Sequence, residues 1–205
     1  MKKEVFASFH SLQSATGNRL CSPVNCAGKQ EILFEELAGK LLLQLRIICL
    51  PDDIACICPW IYDAYAAGRA SQQPLNEKLL EMYSNFNRSN QAQALMVLVH
   101  AEPVCLVDVY NAVKDEVSCG YKARDGDYKI RLLVKPQKKD IPGLYNNLLR
   151  TILKYCFRYP EVKRLILELD NPDDVVPAKE AGMHFLQKIK KPWNELNLLY
   201  VHRSG

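Results

Sequence analysis

The sequence predicts an α/β protein with a mixed, mostly antiparallel central sheet and one parallel strand–helix–strand crossover. Two observations carry this prediction. A short apolar run at 131–134, a basic loop, an amphipathic segment at 144–157 and a second apolar run at 162–169 follow one another, and a parallel strand pair needs such a connection. Elsewhere, pairs of apolar runs separated by short turns indicate antiparallel hairpins.

The helix of the crossover is the most regular pattern in the chain. Its apolar residues recur at spacings of three and four, which places them on one helical face. They are Leu144, Leu148, Leu149, Ile152, Leu153, Cys156 and Phe157. Pro160 closes the segment before the second strand, so the connection is short and unambiguous.

The remaining elements follow from apolar runs, turn residues and helix-capping signals. We expect a strand pair around Gly39, a helix that begins at Pro51 or, alternatively, at Pro59, and a short helix that ends at Gly182. Residues 1–27 show no period and are treated as an extension, and residues 28–205 as the folded domain. The predicted strands are 30–37, 41–50, 94–99, 104–112, 117–121, 184–189 and 196–202, and the predicted helices are 51–65, 74–86 and 173–181.

The composition is that of an ordinary soluble globular protein, with 48% hydrophobic and 24% charged residues among 205. No apolar stretch reaches the length of a membrane span, and the start of the chain lacks a signal peptide pattern. We therefore expect a cytoplasmic protein with no membrane partner. The net charge of +4 and the lack of a recognisable motif give no support for nucleic-acid binding.

The eight cysteines do not indicate a metal site, because no two of them are separated by the two-residue gap of a zinc knuckle. No metal is expected. We expect reduced thiols in a cytoplasmic protein, with a disulfide framework as the alternative.

The loop before the crossover helix is the first candidate binding site. Lys138 and Lys139 lie where a helix begins, and helix N-termini combine unpaired N–H groups with a positive dipole end. A pyrophosphate would be stabilised there. The alternative is an ordinary solvated loop.

Several short motifs, in their order and spacing, carry a family resemblance. They are residues 103–112, Lys114-Asp115, residues 127–136, Glu168-Leu169-Asp170 and Ala181-Gly182-Met183. On these motifs the chain resembles the GNAT superfamily of acyl-CoA-dependent N-acyltransferases, and within it the siderophore-biosynthesis enzymes that acylate N-hydroxylysine. The resemblance implies the GNAT-like fold, acetyl-CoA or another acyl-CoA as co-substrate, and a small-molecule amine or hydroxylamine as acceptor.

The resemblance also implies the residues that hold the acyl-CoA. Its pyrophosphate would lie on the loop, at Lys138, Ile141 and Gly143. Ile141 and Pro142 depart from the glycine-rich family pattern. The flanking residues Lys139, Leu144 and Tyr145 complete this predicted site, and the N–H groups at Leu133 and Val134 would hold the thioester carbonyl.

Arg131 stands where the siderophore subgroup has a histidine. Arginine is always protonated and cannot act as a general base. We expect it to anchor an acceptor carboxylate, to pair with Asp170, or to be a surface charge. Asp170, at the end of a strand, is the predicted base, with a helix cap as the alternative. Residues 173–184 contain no tyrosine that could serve as an acid.

Asp108, Tyr110 and Trp60 are the predicted acceptor-binding residues. Asp108 and Tyr110 are two apart on one strand and so share a face, while Trp60 lies on the first predicted helix. Core packing is the alternative for both aromatic residues. Two functions therefore stay open: an N-acyltransferase, or a non-catalytic domain that binds acyl-CoA or another ligand and keeps the fold.

Overall fold

The structure is a computed structural model that describes residues 19–23, 31–65, 72–113, 121–138, 141–190 and 195–204. Within these ranges, eight strands form one sheet in the order β1-β2-β3-β4-β5-β6-β8-β7. The strands are β1 Ile32–Ala38, β2 Leu41–Ile47, β3 Ala92–Val99, β4 Glu102–Asn111, β5 Asp127–Val134, β6 Arg164–Leu169, β7 His184–Lys190 and β8 Glu195–His202. The helices are α1 Asp52–Tyr65, α2 Gln72–Arg88, α3 Leu144–Cys156 and α4 Val175–Glu180.

The predicted fold class is confirmed. All neighbouring strands pair antiparallel except β5 and β6, which are parallel and joined by α3. None of the helices within the described ranges is long and apolar enough to cross a membrane. The division of the chain at residue 27 stays a prediction.

Two boundaries differ from the predictions for a physical reason. The first helix begins at Asp52, so the alternative start at Pro59 is wrong. Asp53 fixes this start, because its carboxylate accepts hydrogen bonds from both terminal nitrogens of Arg46, at 2.5 and 2.8 Å, and from the N–H of Cys49 at 2.7 Å. The strand predicted at 131–134 begins four residues earlier, at Asp127.

The predicted strand at 117–121 lies almost entirely outside the described residues. Its last residue, Tyr121, is described and is not part of a strand.

Strand β5 separates an apolar face of the sheet from a charged one. Tyr128, Ile130 and Val134 are buried in the main core together with the inner residues of α3. The alternating residues Asp127, Lys129 and Arg131 belong to the opposite face of the sheet. We call this opposite face the acceptor face, and helices α1 and α2 cover it at the end near Arg131.

Candidate active site

A gap opens between the two parallel strands. The register pairs β5 with β6 from Asp127 opposite Arg164 to Ile130 opposite Leu167. Beyond that point β5 continues to Val134 and stays paired with β4, but its other edge has no partner on β6. The second half of β5 therefore exposes backbone N–H and C=O groups to the gap, where an extended ligand can bind.

The backbone pattern decides which N–H groups face this gap. The Lys135 N–H donates to the Val104 carbonyl at 2.8 Å. Hydrogen-bonding direction alternates along an antiparallel strand, so the N–H of Leu133 also faces β4, while those of Leu132 and Val134 face the gap. Of the two predicted oxyanion donors, Val134 is oriented toward the gap and Leu133 is not. The N–H of Leu132, which was not among the predicted donors, also faces the gap.

The start of α3 supplies further free donors. The Leu144 N–H donates to the Ile141 carbonyl at 3.1 Å, and the first helical bond runs from the Asn147 N–H to the Gly143 carbonyl at 3.0 Å. The N–H groups of Tyr145 and Asn146 precede that bond and have no acceptor within the helix. Gly143 has φ 71°, a left-handed conformation that favours glycine. This geometry suits an anionic group.

Two basic side chains near the start of α3 form ion pairs with the same acidic side chain. Glu102 accepts from Lys135 at 2.9 Å and lies 3.1 Å from the Lys138 ammonium. The Lys135 and Lys138 ammonium groups lower the pKa of the Glu102 carboxyl. Lys139, the other predicted phosphate ligand, lies outside the described residues. A phosphate at Lys138 would therefore compete with Glu102 for the same cation.

Asp170 follows β6 directly and its side chain is exposed at the open end of the gap. The helix cap belongs to its neighbour, because the Asn171 side chain accepts from the Asp173 N–H at 3.2 Å. The alternative role of Asp170 as this cap is therefore wrong. Asp170 is also not the partner of Arg131, which pairs with another carboxylate.

That carboxylate is Asp108. Arg131 and Asp108 stand opposite each other on β5 and β4, and Arg131 Nη2 lies 2.6 Å from Asp108 Oδ2. The Asp108 side chain is 4% exposed and that of Arg131 is 50% exposed. Burial raises the pKa of Asp108, opposed by the Arg131 guanidinium and the Tyr83 hydroxyl. The other oxygen, Asp108 Oδ1, is buried without a hydrogen-bond partner among the described residues.

A cavity of about 180 Å³ opens on the acceptor face beside this ion pair. It is lined by Ile61, Leu79, Met82, Tyr83, Leu106, Asp108, Arg131, Leu132 and Leu133. The β5 residues that border the gap thus form part of the cavity wall. The Asp108–Arg131 pair makes one part of this wall polar, and most of the other lining residues are apolar. Of the other predicted acceptor residues, Trp60 is 3% exposed in the main core and does not line the cavity.

A second ion pair lies on the acceptor face between the two parallel strands. The buried Lys129 ammonium pairs with Glu168, and it lies 5.3 Å from the centre of the Tyr110 ring. Glu168 is the first β6 residue beyond the last paired position. The prediction missed Lys129 and Glu168, and also Tyr83 and Met82 of the cavity. The signal for Lys129 was the alternation of charged and apolar residues along β5, and the signal for Glu168 was a single acidic residue near the end of the apolar run of β6.

The chain matches the family described as acetyltransferase (GNAT) domain over residues 50–189. The chain belongs to this GNAT family. No curated protein matches it by sequence.

Solved structures share the GNAT fold. An uncharacterized protein from Bacillus halodurans superimposes with a TM-score of 0.71 at 19% identity, covering 83% of this chain and 90% of that one. Aminoglycoside acetyltransferase AAC(6')-Ib in complex with coenzyme A gives 0.66 at 17%, covering 78% and 95%. A chimera of spermidine N-acetyltransferase from Vibrio cholerae and hSSAT gives 0.61 at 17%, covering 78% and 95%. At these identities the similarity shows the fold.

Proposed function

We propose that this GNAT protein transfers an acyl group, such as acetyl, from acyl-CoA to an amine or hydroxylamine of a small molecule. The observation that carries the proposal is the gap between β5 and β6. It has the free N–H groups of α3 near one end and a cavity on the acceptor face at its side. Solved GNAT structures hold coenzyme A, and their names include an aminoglycoside acetyltransferase and a spermidine N-acetyltransferase.

In the proposed complex the CoA phosphates lie at the start of α3, next to Ile141, Gly143 and Leu144, and accept hydrogen bonds from the N–H groups of Tyr145 and Asn146. Lys138 and Lys139 are the proposed cations beside them. The thioester carbonyl accepts from the gap-facing N–H of Val134. The strand holds this N–H in place before the reaction begins, so it stabilises the developing oxyanion without reorganisation. The acceptor nitrogen attacks the carbonyl carbon directly, because a thioester needs only a well-placed nucleophile.

On the acceptor side, Asp170 takes the proton of the attacking nitrogen. It is exposed at the open end of the gap and is free of the capping role. Arg131 keeps guanidinium donors for an acceptor carboxylate while Asp108 holds its Nη2. Asp108 and Tyr110, on the same strand face, border this side of the site, and we propose Trp60 as a residue that supports it from the core. The siderophore resemblance makes N-hydroxylysine the first acceptor to test, in a cytoplasmic reaction.

The alternative function is a non-catalytic domain that binds acyl-CoA or another ligand and keeps the fold. One observation favours it: Arg131 replaces a histidine and is already paired with Asp108, so this position supplies no base.

Thiol release decides between the two. The protein is mixed with acetyl-CoA and then with longer acyl-CoAs, each with a panel of N-hydroxylysine, lysine, spermidine and an aminoglycoside, while free thiol is followed by a chromogenic disulfide. Calorimetry measures acyl-CoA binding in parallel. Amine-dependent thiol release supports the enzyme. Binding with no release for any acceptor supports the non-catalytic domain. No binding of any acyl-CoA overturns the transferase and leaves only a domain that binds another ligand.

A further inference from the structure

The cavity on the acceptor face has an apolar end and a polar end. Its floor consists of two successive residue pairs of β4 and β5, Leu106 opposite Leu133 and Asp108 opposite Arg131. Residues two apart on a strand share a face, so both pairs face the same space. The apolar pair lies next to Val134, whose N–H faces the gap, and the polar pair lies further from it. The cavity therefore runs from an apolar end at the gap to a polar end.

The walls of the apolar end favour a hydrocarbon chain. Helices α1 and α2 close the cavity with Ile61, Leu79 and Met82. A protonated amine would lose its hydration in this space, whereas a hydrocarbon chain gains from being buried there. The acyl chain of the co-substrate is apolar and is bonded to the thioester carbonyl, which in the proposed complex lies at the Val134 N–H. It is the group that both fits the walls and starts at the gap.

The dimensions of the cavity limit the length of this chain. Its volume is about 180 Å³, and an engineered cavity of about 150 Å³ in another protein binds benzene, so roughly six or seven non-hydrogen atoms fit here. Val134 is three residues from Arg131, which is about 10 Å along a strand. An extended chain covers roughly 1.2 Å per bond. Both limits indicate an acyl chain of roughly six to eight carbons.

The polar end determines which group the far end of the chain can carry. Arg131 Nη2 occupies Asp108 Oδ2. Asp108 Oδ1, which is buried without a hydrogen-bond partner among the described residues, is the oxygen left for a ligand. A carboxylate on the chain would be repelled by Asp108, and an ammonium group by Arg131. A hydroxyl group is neutral and supplies one donor, so it satisfies Oδ1 without either repulsion and removes the penalty of a buried acceptor that lacks a partner.

We propose that this cavity binds the acyl chain of the co-substrate, and that the co-substrate is a medium-chain hydroxyacyl-CoA whose hydroxyl group, near the far end of the chain, donates to Asp108 Oδ1. This rests on the proposed function only in that the thioester lies in the gap. The acceptor then reaches the thioester from the open end of the gap, where Asp170 is exposed. Arg131, whose side chain is 50% exposed, keeps its remaining donors toward solvent.

Binding of acyl-CoAs without an acceptor tests the length of the chain. Calorimetry gives Kd for acetyl-, hexanoyl-, octanoyl- and decanoyl-CoA. Each buried methylene should tighten binding roughly threefold as far as hexanoyl or octanoyl, and decanoyl-CoA should bind no tighter than octanoyl-CoA. Equal Kd values for acetyl- and octanoyl-CoA would overturn the proposal and leave the cavity to the acceptor.

Met82, half-buried in the wall that α2 contributes, allows the cavity to be changed in both directions. Met82→Trp fills it and should abolish the gain in affinity beyond acetyl, while Met82→Ala enlarges it and should move the optimum to decanoyl-CoA. Leu80→Trp is the matched control, because Leu80 is 38% exposed on the same helix and lines a separate hollow between α1 and α2. It should keep the wild-type profile. A shift in the same direction for both Met82 variants would indicate a structural effect and overturn the assignment.

The hydroxyl group is tested with ω-hydroxyhexanoyl-CoA and ω-hydroxyoctanoyl-CoA. A hydrogen bond to a charged group should make the better of the two bind roughly tenfold tighter than the unsubstituted chain of the same length. Asp108→Asn keeps the shape and removes the charge, so this advantage should fall to roughly threefold or less. The same advantage in wild type and Asp108→Asn, or no advantage in wild type, overturns the role of Asp108.

Thiol release separates this proposal from the proposed function. If the acyl-CoAs show the expected chain-length profile but release no thiol with any acceptor, the proposed transfer fails and the acyl site stands. If acetyl- and octanoyl-CoA bind equally and both release thiol with an acceptor, the transfer stands and the acyl site is overturned.

Discussion

Arg131 and Asp108 form an ion pair across β5 and β4, with 2.6 Å between Nη2 and Oδ2. The carboxylate is almost fully buried and the guanidinium half exposed. Burial of the charged Asp108 is unfavourable, and its attraction to a partly solvated Arg131 offsets this only in part, which is why the pKa of Asp108 is raised. The pair also leaves Asp108 Oδ1 without a partner beside the acceptor cavity.

The raised pKa of Asp108 predicts a pH-dependent stability. A carboxyl with a higher pKa in the folded state contributes stability that is fully present below its usual value of 3.8 and is lost as pH rises through the folded value. The unfolding free energy of wild type minus that of Asp108→Asn should therefore fall as pH rises above about 4, measured by urea denaturation.

Arg131→Gln provides the control for this pH dependence. This variant removes the cation that holds the pKa of Asp108 down against the effect of burial. The unfolding free energy of Arg131→Gln minus that of the double variant Arg131→Gln with Asp108→Asn should therefore fall more with rising pH than the corresponding difference for wild type. A difference that rises with pH would contradict the assignment.

The buried pair of Asp127 and Arg164 should dominate the stability of the β5–β6 junction. Arg164 donates to both carboxylate oxygens, at 2.8 and 2.5 Å, and Asp127 also accepts from the Arg124 N–H at 2.9 Å. Arg164→Leu leaves a buried carboxylate unpaired, which should cost about 3–5 kcal/mol. The double variant with Asp127→Leu should recover part of this loss, as measured by chemical denaturation. A double-variant loss equal to the sum of the losses of Arg164→Leu and Asp127→Leu alone would show that the pair is not coupled.

This pair also explains why the sequence predicted only half of β5. The apolar run at 131–134 was readable, but Asp127 and Lys129 broke the pattern before it. They are buried because Arg164 and Glu168 on β6 neutralise them, and pairing between distant segments cannot be read from local periodicity. Helix α3 was predicted to within a residue because its apolar spacing is local.

The parts of the candidate site that depend on local sequence patterns could be predicted in the same way, whereas the parts that depend on strand register could not. The parallel crossover located the loop before α3, and the two-residue spacing of Asp108 and Tyr110 placed both on one face of a strand. Which N–H faces the gap depends on the register of β5 against β4, which sets Val134 and Leu132 apart from Leu133. The partner of Arg131 depends on the same register.

Gly143 should be sensitive through its backbone. A Cβ there meets only the Asn147 amide nitrogen at 3.9 Å, so the penalty of Gly143→Ala is the left-handed conformation, about 1–2 kcal/mol. The strain should shift the helix start and weaken CoA binding, measured by calorimetry. Gly39→Ala is the matched control, with φ 63° and open space in a hairpin turn. It should lose similar stability and keep wild-type CoA affinity. If Gly143→Ala also keeps it, the phosphates bind elsewhere.

Glu102 should weaken CoA binding in the wild type. It holds Lys135 and Lys138, both partly exposed, beside the proposed phosphate site. Glu102→Gln frees both cations, so affinity for coenzyme A should rise a few-fold at low salt and the difference should vanish near 1 M salt, where charges are screened. Glu195→Gln, which frees Lys188 from a similar exposed pair at 2.8 Å, is the control. Unchanged affinity in Glu102→Gln would place the phosphates away from Lys138.

Asp170 is the residue whose loss should reduce turnover most, if it accepts the proton of the attacking nitrogen. It follows the last residue of β6, at the carboxyl end of the sheet where open α/β sheets bind ligands. Asp170→Asn keeps the shape and removes the base, so kcat should fall roughly 10²-fold or more with acyl-CoA binding unchanged.

Asp173→Asn is the matched control, because Asp173 is also exposed, three residues later, and contributes its backbone N–H to the Asn171 cap. Rates are compared by thiol release on the best acceptor found for wild type. If Asp170→Asn matches Asp173→Asn in kcat, the base is another group, and the carboxylates of Glu168 and Asp108 on the acceptor face would be the next to test.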